Sequence, residues 1–135
     1  MGPSILVDTN AVIELVNGGL PPASVAWLEQ RIGDDAHHIS MITRIELFSK
    51  LISSNMTEVL TGFVRLTDVI GLDEAIIQQT MRLRQQRRLK LPDAVIAATA
   101  LARGLVLVTR NVGDFAGLPG LAVLNLHDTG QLPVL

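Results

Sequence analysis

Ile5-Leu6-Val7-Asp8-Thr9-Asn10 carries a short apolar run directly into a carboxylate. The run reads as a strand, and the acid stands where that strand gives way to a helix from about Ala11 to Val16, which Asn17-Gly18-Gly19 stops. The same alternation continues downstream. Pro21-Pro22 opens a helix from about Ala23 to Ile32, halted by Gly33, and His38–Met41 is the next strand. Helices follow at about Arg44–Ser53 and Glu58–Leu66, then a strand at Asp68–Leu72. Asp73 suits the N-cap of a helix over Glu74–Arg88. Leu91-Pro92 interrupts, and a helix from Asp93 runs to the stop at Gly104. Leu105–Val108 and Ala122–Leu126 are the last two strands.

Strands alternating with helices of this length predict a mainly parallel sheet of four to five strands, covered by helices on both faces. The 135 residues are expected to form a single domain over residues 1–135. Ala94–Ala102 is apolar almost all round and rich in alanine, as a central helix packed closely on the sheet would be.

The chain has no cysteine, which excludes disulfides, thiol nucleophiles and thiolate metal sites. His37 and His38 are adjacent and His127 is remote, so no histidine pair has zinc-ligand spacing. No stretch resembles a signal peptide or membrane span, and a cytoplasmic protein without membrane attachment is expected. The net charge of −2 speaks against a nucleic-acid binder when taken alone. That average hides a basic cluster, since Arg82, Arg84, Arg87, Arg88 and Lys90 lie within nine residues of one another.

Four acids fall where strands end or helices begin: Asp8, Glu46, Asp93 and Asp114. Ligands of an open parallel sheet bind beyond the carboxyl ends of its strands, so these acids can meet in one pocket. Each also has a local reading. Thr43-x-x-Glu46 fits a capping box, Asp93 after Pro92 fits an N-cap, and Asp114 fits a turn before Phe115. Asp8 is harder to explain locally. Two carboxylates about 5 Å apart repel by roughly 3 kcal/mol at an effective dielectric near 20, so several together raise pKa values or require a cation. Oxygen-only ligands suit Mg²⁺ or Mn²⁺. A divalent cation there implies phosphodiester hydrolysis, by activating water and neutralising the phosphate under attack. Thr9, Asn10, Thr109 and Asn111 flank Asp8 and Asp114 and can support the site, although Asn10 also fits a cap of the first helix.

Asp8-Thr9-Asn10, Glu46, Pro92-Asp93-Ala94 with its alanine-rich helix, and Thr109-Arg110-Asn111-x-x-Asp114-Phe115 together resemble the PIN domain, more narrowly the VapC-type toxins of toxin–antitoxin pairs. The resemblance covers Ile5 to Leu126. It implies a three-layer α/β/α sandwich and a Mg²⁺-dependent endoribonuclease. Asp8, Glu46, Asp93 and Asp114 would be its catalytic and metal-binding quartet, with Thr109 the hydroxyl beside the site. It further implies a homodimer and a cognate antitoxin bound in a hetero-oligomer.

Projected on a helical wheel, Arg84, Arg87 and Arg88 extend the face of Ile76, Ile77, Thr80 and Leu83, and are assigned to RNA phosphate. Capping of a helix C-terminus and contact with antitoxin acids are the other readings of these arginines. Trp27, Leu28, Leu47, Phe48, Leu51 and Ile52 are candidates for an antitoxin groove, against ordinary core packing. A receiver-type phosphoryl-transfer domain would need adjacent acids after the first strand and a lysine after a later one, and neither is present. A haloacid-dehalogenase-like phosphatase would need an acid at position 10, which is Asn10. The remaining alternative is a non-catalytic PIN-like binding module whose acids only cap helices.

Overall fold

The computed structural model describes residues 2–49 and 53–133. Five parallel strands form one sheet in the order β3-β2-β1-β4-β5. They are β1 (Ile5–Val7), β2 (His37–Ser40), β3 (Asp68–Ile70), β4 (Val106–Val108) and β5 (Val123–Leu124). The helices are α1 (Thr9–Asn17), α2 (Pro22–Gly33), α3 (Met41–Ser49), α4 (Ser54–Arg65), α5 (Glu74–Gln86), α6 (Leu91–Arg103) and α7 (Val112–Phe115). Among the described residues no helix is long and apolar enough to cross a membrane.

Alternate residues of the central strands feed two cores. Leu6 and Leu107, paired in register, point to one face with Ile76 and Leu83 of α5 and the buried side of α6. Ile5, Val7 and Val108 point to the other, where Val12, Leu28, Leu47 and Leu60 of α1 to α4 close over them. This is the expected three-layer sandwich, with the period-2 alternation of strands deciding which helix covers which face. In α6 every residue from Ala94 to Ala100 is buried. Ala94, Ala97 and Ala98 are fully inaccessible, so their lack of bulk sets how closely α6 approaches the sheet.

Several boundaries differ from the sequence reading. The second strand stops at Ser40, whose hydroxyl accepts from the Ile42 amide at 3.1 Å and starts α3 at Met41. The C-terminal part of the helix expected over Arg44–Ser53 includes residues 50–52, outside those described. Ser53 accepts from the Met56 amide, so α4 begins earlier than Glu58. The third and fifth strands are shorter than expected. Asp73 does cap α5, accepting from the Ile76 amide at 2.9 Å. That helix ends at Gln86, however, and Arg87 is extended with φ −149°.

The helix expected from Asp93 begins two residues earlier, at Leu91. Pro92 is accommodated in its first turn, where a missing N–H breaks no helical bond. The short α7 was not foreseen. Gly18 at the end of α1 and Gly104 at the end of α6 adopt positive φ, matching the stops read from the sequence.

Candidate active site

The strand order places the site. The chain builds β1, β2 and β3 outward in one direction, then returns to add β4 and β5 on the other side of β1. The reversal leaves a crevice at the carboxyl ends of β1 and β4. Asp8 follows β1 there and Thr109 follows β4. The Asp8 amide donates to the Val108 carbonyl at 2.9 Å, continuing the strand pairing to the lip of the crevice. The Thr109 hydroxyl donates across it to Asp8 Oδ2 at 2.7 Å, and Asp8 Oδ1 accepts from the Thr9 amide at 2.8 Å. Asp8 thus stands as the N-cap of α1.

Glu46 reaches the crevice from α3, which packs against α1. The Thr9 hydroxyl donates to Glu46 Oε1 at 2.7 Å and lies 3.1 Å from the hydroxyl of Thr43, itself fully buried. Because α3 starts at Met41, Thr43 and Glu46 both lie within it and the expected capping box does not form. Their spacing of three residues instead puts both on the helix face turned to Thr9.

Asp93 enters from the first turn of α6, which makes it a first-turn acid rather than the expected N-cap. With Asp8, Asn10, Glu46 and Asn111 it lines a hollow of about 120 Å³. Asp93 also borders an adjoining hollow of about 190 Å³ with Asp114, Arg87, Arg88 and Lys90. Asp114 is held from the side by Asn111, whose Nδ2 donates to its Oδ2 at 2.5 Å. Asn111 is in turn placed by its own amide, which donates to the Thr109 hydroxyl at 3.0 Å. The structure therefore gathers Asp8, Glu46 and Asp93 around one hollow and attaches Asp114 through the next.

Burial raises the pKa of Asp8 above the ordinary carboxylate value. The hydrogen bonds from Thr109 and Thr9 oppose that shift, and the charge of Glu46 adds to it. Asp93 is also raised, first by burial and then by repulsion from Asp8, Asp114 and Glu46, with Lys90 acting in the opposite sense. The other three acids thus all act electrostatically on Asp93.

The donor set is entirely oxygen and anionic, which fits a hard divalent cation. Among the described residues, no three acidic or imidazole side chains close into a ready-made metal cage. The acids border a space instead, as suits an ion such as Mg²⁺ that keeps several of its waters. Asp8, Glu46 and Asp93, with Asp114 adjoining, are the side chains that could hold it.

The remaining sequence candidates separate. Asn10 borders the hollow but lies inside α1, so it is not the cap. Arg88 borders the second hollow. Arg84 is exposed on α5 and lines neither one. Arg87 is turned onto backbone: Nη2 donates to the Gly113 carbonyl at 3.3 Å and Nη1 to that of Ala116. The shared helical face expected for the three arginines does not exist, because α5 ends before Arg87.

Sequence reasoning missed Lys90 and Thr43. Lys90 was read only as one member of the basic cluster, and it occupies the cap position of α6 without a capping side chain. The spacing of Thr43 from Glu46 was a usable signal, but it was read as a cap. Of the proposed antitoxin-groove residues, Trp27, Leu28 and Leu47 are buried in the core. Phe48 is exposed and lines a groove with Arg44, Val64 and Val69, while Leu51 and Ile52 lie outside the described residues.

Comparison with known proteins places the chain in a family. The PIN domain family model matches residues 5–120. The tRNA(fMet)-specific endonuclease VapC of Shigella flexneri is 33% identical over 125 residues, spanning 86% of this chain and 92% of that protein. A toxin–antitoxin complex from Klebsiella pneumoniae contains a chain 32% identical, with a TM-score of 0.71 and coverage of 90% of this chain and 96% of that one. A DNA-bound VapBC structure from Salmonella typhimurium superposes with a TM-score of 0.78 over 93% of this chain and 99% of its counterpart. At 24% identity that match speaks to the fold. With its acids at the sheet's crevice and a family match over most of its length, the chain belongs to the PIN domain family, as a homologue of the VapC endonucleases.

Proposed function

We propose that this chain is a Mg²⁺-dependent endoribonuclease, with Mn²⁺ able to substitute, and that it is the toxin of a toxin–antitoxin pair. The observation that carries this reading is the meeting of Asp8, Glu46 and Asp93 around one hollow, with Asp114 beside it. The name of the Shigella flexneri relative, a tRNA endonuclease, supports RNA as the substrate class.

When bound, the cation supplies an activated water and neutralises charge on the phosphate. Asp8 is held in place by the Thr9 amide and Thr109 hydroxyl, and each of its oxygens keeps a further lone pair for a ligand. Glu46 is oriented by the Thr9 hydroxyl. The burial of Asp8 and Asp93 makes their anionic forms costly unless a positive charge joins them, which favours cation uptake. Arg88 and Lys90, beside Asp93, supply the positive edge along which an RNA backbone is bound.

The antitoxin reading is supported by the Klebsiella pneumoniae complex, and the proposal includes cytoplasmic action on RNA. A homodimer completes the proposal. Ile42, Ile77 and Val95 form an apolar groove with the exposed side chains of Leu72, Met81 and Leu91, a surface that a second copy would cover.

The test uses purified protein free of antitoxin, with labelled transfer and ribosomal RNA and either metal. Cleavage is expected from the native chain. In Asp8→Asn and Asp93→Asn it should fall by more than the roughly ten- to hundredfold typical of losing a group behind a ligand. Cleavage undiminished in both variants would refute the acidic site.

A further inference from the structure

Arg87 belongs by sequence to the basic cluster and borders the hollow of Asp93 and Asp114, yet its guanidinium is hydrogen-bonded to backbone. It donates to the carbonyls of Gly113 and Ala116, which flank Asp114 and Phe115. Ala116 is the C-cap of α7, a single turn whose last carbonyls have no helical partner. A guanidinium suits that place, since its fork can serve two acceptors and its charge complements the negative end of the turn. Gly117 follows with φ +82°, and a Cβ built there would sit 3.9 Å from Arg87 Nη1, so the arginine lies against this bend.

Two other contacts hold the same turn. Phe115 is buried in the core beside α6, and Asn111 donates to the carboxylate of Asp114. Phe115 fixes the depth of the turn and Asn111 steadies one carboxylate oxygen. Among the described residues neither makes a hydrogen bond from the end of the turn to the connection between α5 and α6. Arg87 does so, because it leaves α5 at the point where the backbone becomes extended, three residues before Lys90 and six before Asp93.

We propose that Arg87 is a positioning residue: it clamps α7 so that Asp114 faces Asp93, and phosphate binding falls to Arg88 and Lys90. This rests on the nuclease reading of the site. It divides the basic cluster into one arginine that acts through Asp114 and two cations that meet substrate.

The experiment compares Arg87→Ala, Arg87→Lys and Arg88→Ala, each also in an Asp114→Asn background. Amide exchange of residues 112–117 in the metal-free protein reads the clamp without any activity. It should quicken in Arg87→Ala, less so in Arg87→Lys, and not in Arg88→Ala. Unchanged exchange in Arg87→Ala overturns the proposal even if the native protein proves not to cleave RNA. In cleavage assays Arg87→Ala should lower kcat by about ten- to a hundredfold while leaving the salt dependence of RNA binding unchanged. That loss should disappear when Asp114 is already Asn, since residues acting through one another are not additive. A raised KM with a flatter salt slope, persisting in the Asp114→Asn background, would assign Arg87 to RNA phosphate and refute the clamp.

Discussion

Where β1 ends, Asp8 accepts one hydrogen bond from the Thr9 amide and another from the Thr109 hydroxyl across the crevice. Where α6 begins, Asp93 has no such side-chain hydrogen bond among the described residues, and its surroundings are burial and three other acids. The first carboxylate is built into the scaffold by donors at the start of α1 and just after β4. The second is placed by the helix that carries it, and that helix is held by alanines packed against the sheet. The two halves of the site should therefore respond to different perturbations.

The largest effect on stability is expected from Ala97→Leu. Ala97 is completely buried, so extra methylenes must push α6 off the sheet, at a cost of up to about 3 kcal/mol. Urea unfolding would measure that loss. Amide exchange should show loosening around α6 and not at the Asp8–Thr109 corner. Equal loosening at both would mean that the two halves move as one.

Thr109→Val tests the other half. It removes the donor to Asp8 and the acceptor for the Asn111 amide, at a cost on the order of 1 kcal/mol, while Thr109→Ser should largely restore both. Because the Thr109 hydrogen bond lowers the pKa of Asp8, its loss should raise that pKa further. The acidic limb of the cleavage–pH profile should then move to higher pH. A profile that keeps its position in Thr109→Val would show that Asp8 is not governed by this bond.

The smallest effect is a gain in stability. The folded-state pKa of Asp93 lies above its unfolded value of 3.8, so ionisation opposes folding. That opposition is full above the folded pKa and vanishes as the pH falls below the unfolded one. Asp93→Asn should accordingly raise Tm at pH 7 in metal-free buffer, with the advantage shrinking as pH falls toward 3.8. An advantage that persists well below pH 3.8 would have to come from packing rather than charge.

Much of this contrast was legible in the residues. The step from Ile5-Leu6-Val7 to Asp8 marked a strand end, and the alanine run after Asp93 marked a central helix; both are patterns of a few neighbouring residues. Glu46 was legible as an acid of the pocket, with a capping box as its local alternative. The hydroxyl of Ser40 starts α3 at Met41, and this earlier start turns a plausible capping box into a face directed at Thr9. Asp93 shows the same kind of shift, because Pro92 is tolerated in the first turn and the helix begins ahead of it. The shared face expected for Arg84, Arg87 and Arg88 failed for a related reason. A helical wheel assumes an unbroken helix, and α5 ends at Gln86.

The alternation of strands and helices, the order of the four acids and the small residues of the central helix are all written in local periodicity and side-chain type. The tertiary structure decided the strand order, and with it which strand ends share a crevice. It also decided that Asp114 borders an adjoining hollow shared with Asp93, and that Arg87 turns to the backbone of α7. Those outcomes depend on contacts between residues far apart in the chain, such as Asp8 with Thr109, which are stabilised only when the whole sheet and its covering helices are in place.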